Sequence, residues 1–177
     1  MRKITLAALA LASSAALVGV TAVPAFAATD TTPVTVTVAS GVLTITAPAD
    51  TIVLTPALPG ATSTTLLGNT VVDDARADDV GWEATVTLPI LTGTVTSTNA
   101  TIPTTGATYA AATATPSGTV TVTAALTITG LNTAKPSQTA TGVSGNNTAT
   151  WAATLTVPMP DQVLADIYSG TLTQSVS

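Results

Sequence analysis

The run Thr148-Ala149-Thr150-Trp151-Ala152-Ala153-Thr154-Leu155-Thr156-Val157-Pro158 decides the fold. In an extended chain Ala149, Trp151, Ala153, Leu155 and Val157 fall on one side, and Thr148, Thr150, Ala152, Thr154 and Thr156 on the other. Alternation of period two marks a strand with one buried and one wet face. The same pattern sets Trp82, Ala84, Val86 and Leu88 against Glu83, Thr85 and Thr87, and Val120 and Val122 among Thr119, Thr121 and Thr123. Val34, Val36 and Val38 alternate with Thr35 and Thr37, and Leu43 and Ile45 with Thr44 and Thr46. Threonine suits the wet face because β-branching fits a pleated strand while the hydroxyl keeps the surface hydrated without charge.

Outward from that run, Gly, Pro and Asn punctuate the chain at Ser40-Gly41, Pro59-Gly60, Gly68-Asn69, Pro89, Gly93, Pro103, Gly130 and Gly142 to Asn147. Short strands separated by such turns predict an all-β, antiparallel β-sandwich of Greek-key or immunoglobulin-like kind. A second tryptophan strand, Gly81 to Leu88, follows the acidic stretch Asp73-Asp74-Ala75-Arg76-Ala77-Asp78-Asp79, and Tyr168 to Ser177 reads as a closing strand. The only helical signal past residue 27 is one short turn at Asp161 to Ile167, started by Pro160. Residues 97–118 read either as weak edge strands around Tyr109 or as a long surface connection.

The N-terminus reads as an export signal. Arg2 and Lys3 form a basic start, Ile4 to Val23 an apolar stretch, and Ala25-Phe26-Ala27 a small-x-small cleavage site. The expected domains are therefore a signal peptide, 1–27, and one mature domain, 28–177. The alternative, an uncleaved anchor, is opposed by Ser13, Ser14, Gly19, Thr21 and Pro24 within or beside the apolar stretch. The mature chain is then expected to carry no transmembrane anchor, and to be secreted.

Charged residues make up only 7% of the sequence, with no histidine and no cysteine. The mature domain keeps Arg76 and Lys135 against all nine acids, a net charge of 2 − 9 = −7 in place of −5. So few cations exclude nucleic acid and disfavour anionic lipid as partners. Without histidine or cysteine neither a Ser-His-Asp nor a Cys-His site can be built. Lys135, followed by Pro136, reads as a solvated turn residue and not as an activator of serine. The chain is expected not to be an enzyme.

Two groups remain as candidate sites. Asp73, Asp74, Asp78, Asp79 and Glu83 place five carboxylates within eleven residues, a possible calcium site at the weak, extracellular end of the range. Alternatively Arg76 pairs with one or two aspartates, or anchors the loop by a bidentate bond to Asp73, Asp74 or a backbone carbonyl. Trp82 and Trp151 read as core residues, or else as platforms that stack on sugar rings. Tyr109, in the irregular segment, is the aromatic expected to be exposed, and with the tryptophans it forms the candidate ligand-binding set. Asn146 and Asn147, within a formal glycosylation sequon, read as turn residues suited to left-handed backbone.

The β-rich start, the Asp73 to Asp79 stretch, the Gly81-Trp82 strand, Gly145-Asn146-Asn147-Thr148-Ala149-Thr150-Trp151 and Tyr168 to Ser177 together resemble the WxL-domain family of Gram-positive, actinobacterial-type cell-surface proteins. The resemblance spans roughly residues 30–177. Where that family carries Trp-x-Leu motifs, this chain has Trp82-Glu83-Ala84 and, in the closing strand, the degenerate Gln174-Ser175-Val176. The resemblance implies an exported β-sandwich held non-covalently to the cell wall, through peptidoglycan or other surface proteins. A second expectation is a structural subunit of a surface layer or fibre, joined by strand addition through Tyr168 to Val176.

Overall fold

In the computed structural model the described residues are 29–96 and 100–177. The expected signal peptide lies outside them. The chain divides into a unit Met1–Val36 and a compact unit Thr37–Ser177. Residues 29–36 are exposed and form no strand.

The compact unit is all-β. Its strands are β1 (Leu43–Thr46), β2 (Thr62–Leu66), β3 (Thr70–Asp74), β4 (Trp82–Thr87), β5 (Leu91–Gly93), β6 (Thr101–Ile102) and β7 (Thr108–Ala111). There follow β8 (Thr115–Ala124), β9 (Ile128–Thr129), β10 (Lys135–Trp151), β11 (Ala153–Pro158), β12 (Tyr168–Ser169) and β13 (Thr173–Val176). All pair antiparallel, in a six-stranded sheet β1-β3-β10-β4-β13 with β8 on β10, a sheet β2-β11-β7-β9, and a small sheet β12-β5-β6. The antiparallel class is the one read from the alternation. The antiparallel sheets form a sandwich, organised around one 17-residue strand, β10.

β10 explains the layout. Along one edge it pairs with β8; along the other its residues Asn147–Trp151 pair with β3 and Lys135–Ala140 with β4. β3 and β4 therefore lie end to end on β10, and the loop 75–81 is the interruption between them. Between its two halves β10 shifts register twice, with Gly142 and Gly145 at positive φ of 61° and 71°. These bulges fold the strand. Seven residues of straight strand would separate Ala140 from Asn147 by about 23 Å. Yet Trp82, opposite Ala140, reaches Asn147 with its side chain. At Ala152 the chain leaves the six-stranded sheet and continues as β11 in the second one. Side-chain parity survives the crossing: 147, 149, 151, 153, 155 and 157 are all buried.

The core is built from those residues together with Val72, Trp82, Ala84, Val86, Tyr109, Ile102 and Leu131. Each large ring buries roughly 150–250 Å², or about 4–6 kcal/mol of transfer free energy at ~25 cal/mol per Å² as an upper bound.

Three expectations change. Val34, Val36 and Val38 alternate as a strand would, but they remain 88%, 88% and 80% exposed, and among the described residues the first strand starts at Leu43. Gly142 to Asn147 is continuous bulged strand and not a turn between strands. The closing segment is two short strands in different sheets, β12 on β5 and β13 on β4. Residues 100–118 resolve into β6, β7 and the start of β8. After Pro160 a single turn is closed by Val163 N donating to the Pro160 carbonyl at 3.2 Å.

Candidate functional site

The acidic loop is tied to the protein by one arginine. Asp74 ends β3 on its inward face and is 1% exposed. Arg76 Nε donates to Asp74 Oδ1 at 2.8 Å and Nη2 to Oδ2 at 3.0 Å, a bidentate pair. Nη2 also reaches the carbonyls of Val80 at 2.9 Å and Gly81 at 3.3 Å, so one guanidinium draws both ends of the loop together. Ala77 takes the left-handed conformation, φ 57°, at the tip. The hydrogen bonds from Arg76 hold the Asp74 carboxyl below its ordinary value of 3.8, outweighing the opposing effect of burial. The Asp74 side-chain bond raises the Arg76 pKa in turn.

From Asp74 the network runs inward. Asn147 Nδ2 donates to Asp74 Oδ2 at 3.1 Å and to the Gly145 carbonyl at 3.3 Å, while Asn147 Oδ1 accepts from Trp82 Nε1 at 3.1 Å. A buried indole N–H must find an acceptor, and Asn147 presents one because its backbone parity is that of Ala149 and Trp151. Gly145 N donates to the Asp78 carbonyl at 2.8 Å, fixing the loop against the fold in β10.

The second tryptophan is handled the same way. Trp151 Nε1 donates to Tyr109 Oη at 3.1 Å, and Tyr109 donates onward to Gln174 Oε1 at 3.1 Å. Thr70 Oγ1 donates to the same Gln174 oxygen at 3.0 Å. Burial pushes the Tyr109 hydroxyl above its usual range, which keeps it a neutral donor.

The five carboxylates are thus not gathered. Asp74 is committed to Arg76 and Asn147; Asp78 lies 3.9 Å from Arg76 Nε and accepts from Val80 N; Asp73 and Asp79 are exposed and Glu83 half-buried. Among the described residues no group of three or more His, Cys, Asp or Glu converges on a common point. Trp82, Tyr109 and Trp151 are 3%, 0% and 2% exposed. Tyr109 is therefore a core residue and not the exposed aromatic expected, because its position on β7, beside β11 in the same sheet, turns its side chain into the core. None of the three rings offers a face to a sugar. Asn147 and Gln174, neither of them predicted as site residues, close both networks. Lys135 opens β10 instead of sitting in a turn.

What remains accessible is a cleft. The irregular segment 47–58 lies over the core, with Ile52 and Leu54 packed against it; Ser63 Oγ donates to the Thr55 carbonyl at 2.6 Å, and Thr55 N donates to Thr65 Oγ1 at 3.3 Å. Between this strap and residues 166–172 is a hollow of about 750 Å³ lined by Ile52, Leu54, Leu67, Leu91, Leu155 and Leu172 among others. A smaller one of about 300 Å³ continues under Pro56 and Leu58 towards Met159 and Leu164. Both are predominantly apolar, with hydroxyls from Thr51, Thr55 and Thr171 at hand. Among the described residues no helix is long and apolar enough to cross a membrane. The chain matches no family model, no curated protein and no solved structure.

Proposed function

We propose that the chain is a secreted, non-catalytic cell-surface module that attaches non-covalently to peptidoglycan or to surface-protein partners. The observation that supports this most is where the reactive groups are spent. Both tryptophans, Tyr109, and the Asp74–Arg76 pair satisfy one another inside the fold, leaving a hydroxyl-rich surface with one large apolar cleft. Such a cleft, with a few polar groups for orientation, is the form a ligand site takes. The cleft between 47–58 and 166–172, and not a tryptophan platform, is therefore the attachment site. The resemblance to WxL-domain proteins supports the same reading and the Gram-positive wall as the target.

The test is a pull-down of the purified protein on Gram-positive peptidoglycan, run with calcium and with chelator. Saturable binding in both conditions is expected. Binding abolished by chelator would move the site to the Asp73 to Glu83 loop. Absence of binding in either condition would contradict the wall reading and leave protein partners.

A second reading, a subunit of a surface layer or fibre, is favoured by one observation. β8 pairs only with β10 among the described residues, so its outer edge is open. Tyr168 to Val176 is not the joining strand in that reading, because both its halves already pair within the sheets.

A further inference from the structure

The open edge of β8 is unusual in how little protects it. Natural edge strands are blunted by lysine, proline, bulges or covering loops. The first half of β8 follows that rule, with Pro116 and with Gly118 at φ 85°. The second half, Thr119-Val120-Thr121-Val122-Thr123-Ala124, carries no charge, no proline and no glycine. Val120 and Val122 turn inward against the core, and Thr119, Thr121 and Thr123 are exposed. It is a regular row of backbone donors and acceptors with a Val-in, Thr-out face code.

A segment written in the same code lies elsewhere in the chain, outside every described strand. Pro33-Val34-Thr35-Val36-Thr37-Val38 alternates valine with threonine, is exposed throughout, and forms no strand. Its composition has strong strand preference, and strand addition supplies main-chain bonds for affinity while the side-chain alternation sets register. Three valines exposed at 80% or more are costly to leave in water and would extend the inward face formed by Val120 and Val122.

We propose that residues 33–38 of one copy add as a strand to the edge Thr119–Ala124 of β8 in a second copy. This rests on the subunit reading above and names its joint. Donor and acceptor are different surfaces, so the contact is head-to-tail, and each copy can join two neighbours.

The experiment uses the purified protein with two variants, Val36→Pro and Thr121→Lys. The first removes an N–H from the donor at a residue 88% exposed; the second puts a charge on the exposed face of the acceptor edge. Circular dichroism and thermal midpoints check that both stay folded. Sedimentation velocity over a concentration series is expected to show self-association of the wild type, weakened at least tenfold in each variant alone. Each variant keeps the half that the other lacks. An equimolar mixture of the two is therefore expected to form a 1:1 pair that goes no further. A wild type that stays monomeric at every concentration would overturn both this joint and the subunit reading. Wild-type assembly that persists undiminished in either variant, or a mixture that stays monomeric, would overturn the joint while leaving the subunit reading in place.

Discussion

Replacing Asn147 with alanine is the sharpest test of the buried networks. The side chain is 3% exposed and does two things at once: it accepts from Trp82 Nε1 and donates to Asp74 Oδ2. Truncation leaves the indole N–H without a partner, a cost of about 1–3 kcal/mol, and removes a hydrogen bond to a charged group, about 1.5–3 kcal/mol. Their combination centres near 4 kcal/mol, similar to breaking a buried ion pair at about 3–5 kcal/mol. Against a domain stability of about 5–15 kcal/mol the variant still folds, but marginally. The control is Asn146→Ala, chemically the same change at the exposed neighbouring residue, expected within about 0.5 kcal/mol of wild type. Urea unfolding followed by tryptophan fluorescence measures both. With a slope of about 1–3 kcal/mol per M, the Asn147→Ala midpoint falls by about 1.3–4 M. A shift no larger than that of Asn146→Ala would refute the role given to Asn147.

Other outcomes follow from the same contacts. Asp74 is held ionised by Arg76, with its folded pKa below 3.8, so its contribution to stability is complete above that pH and declines as pH falls through the folded value. Urea midpoints measured from pH 6 down to 2 should show this decline, and Asp74→Asn should be less stable at neutral pH with a flatter acid limb. Arg76→Lys keeps the charge but loses the fork that spans Asp74, Val80 and Gly81, and should destabilise by about 2 kcal/mol in the same assay. Tyr109→Phe leaves Trp151 Nε1 unpartnered, with an expected loss of about 1–3 kcal/mol in thermal or urea unfolding. Gly81→Ala drives a Cβ into the Ala140 carbonyl, and should lower the thermal midpoint more than Gly142→Ala, where nothing lies within 4 Å but φ is positive.

Much of this architecture was readable from alternation alone. Trp82 to Leu88 and Ala149 to Val157 are strands with the inward residues that the period assigns, and Arg76 anchors its loop in one of the ways that a lone cation among aspartates allows. The course of β10 was not readable, because two glycines and two asparagines between Gly142 and Asn147 have the composition of a turn. Only pairing to either side of them, with β4 before, β3 after and β8 along the other edge, carries the strand through. Asn147 reads as a turn residue for the same reason, although its parity with Trp151 places it indoors. Tyr109 was hidden by the short, Pro-interrupted strands around it, which show too few residues for a period to emerge. Val34 to Val38 shows the limit of the pattern: alternation reports the ability to pair, and a partner must come from elsewhere in space.

The proposed recognition surface is the cleft and not the aromatic side chains. A titration of ¹⁵N-labelled protein with soluble peptidoglycan fragments, followed by amide and indole resonances, tests that most directly. Shifts concentrated in residues 47–58 and 166–172, with the indole Nε1 signals of Trp82 and Trp151 unmoved, are the predicted result. Movement of those indole signals while the cleft residues stay silent would contradict it.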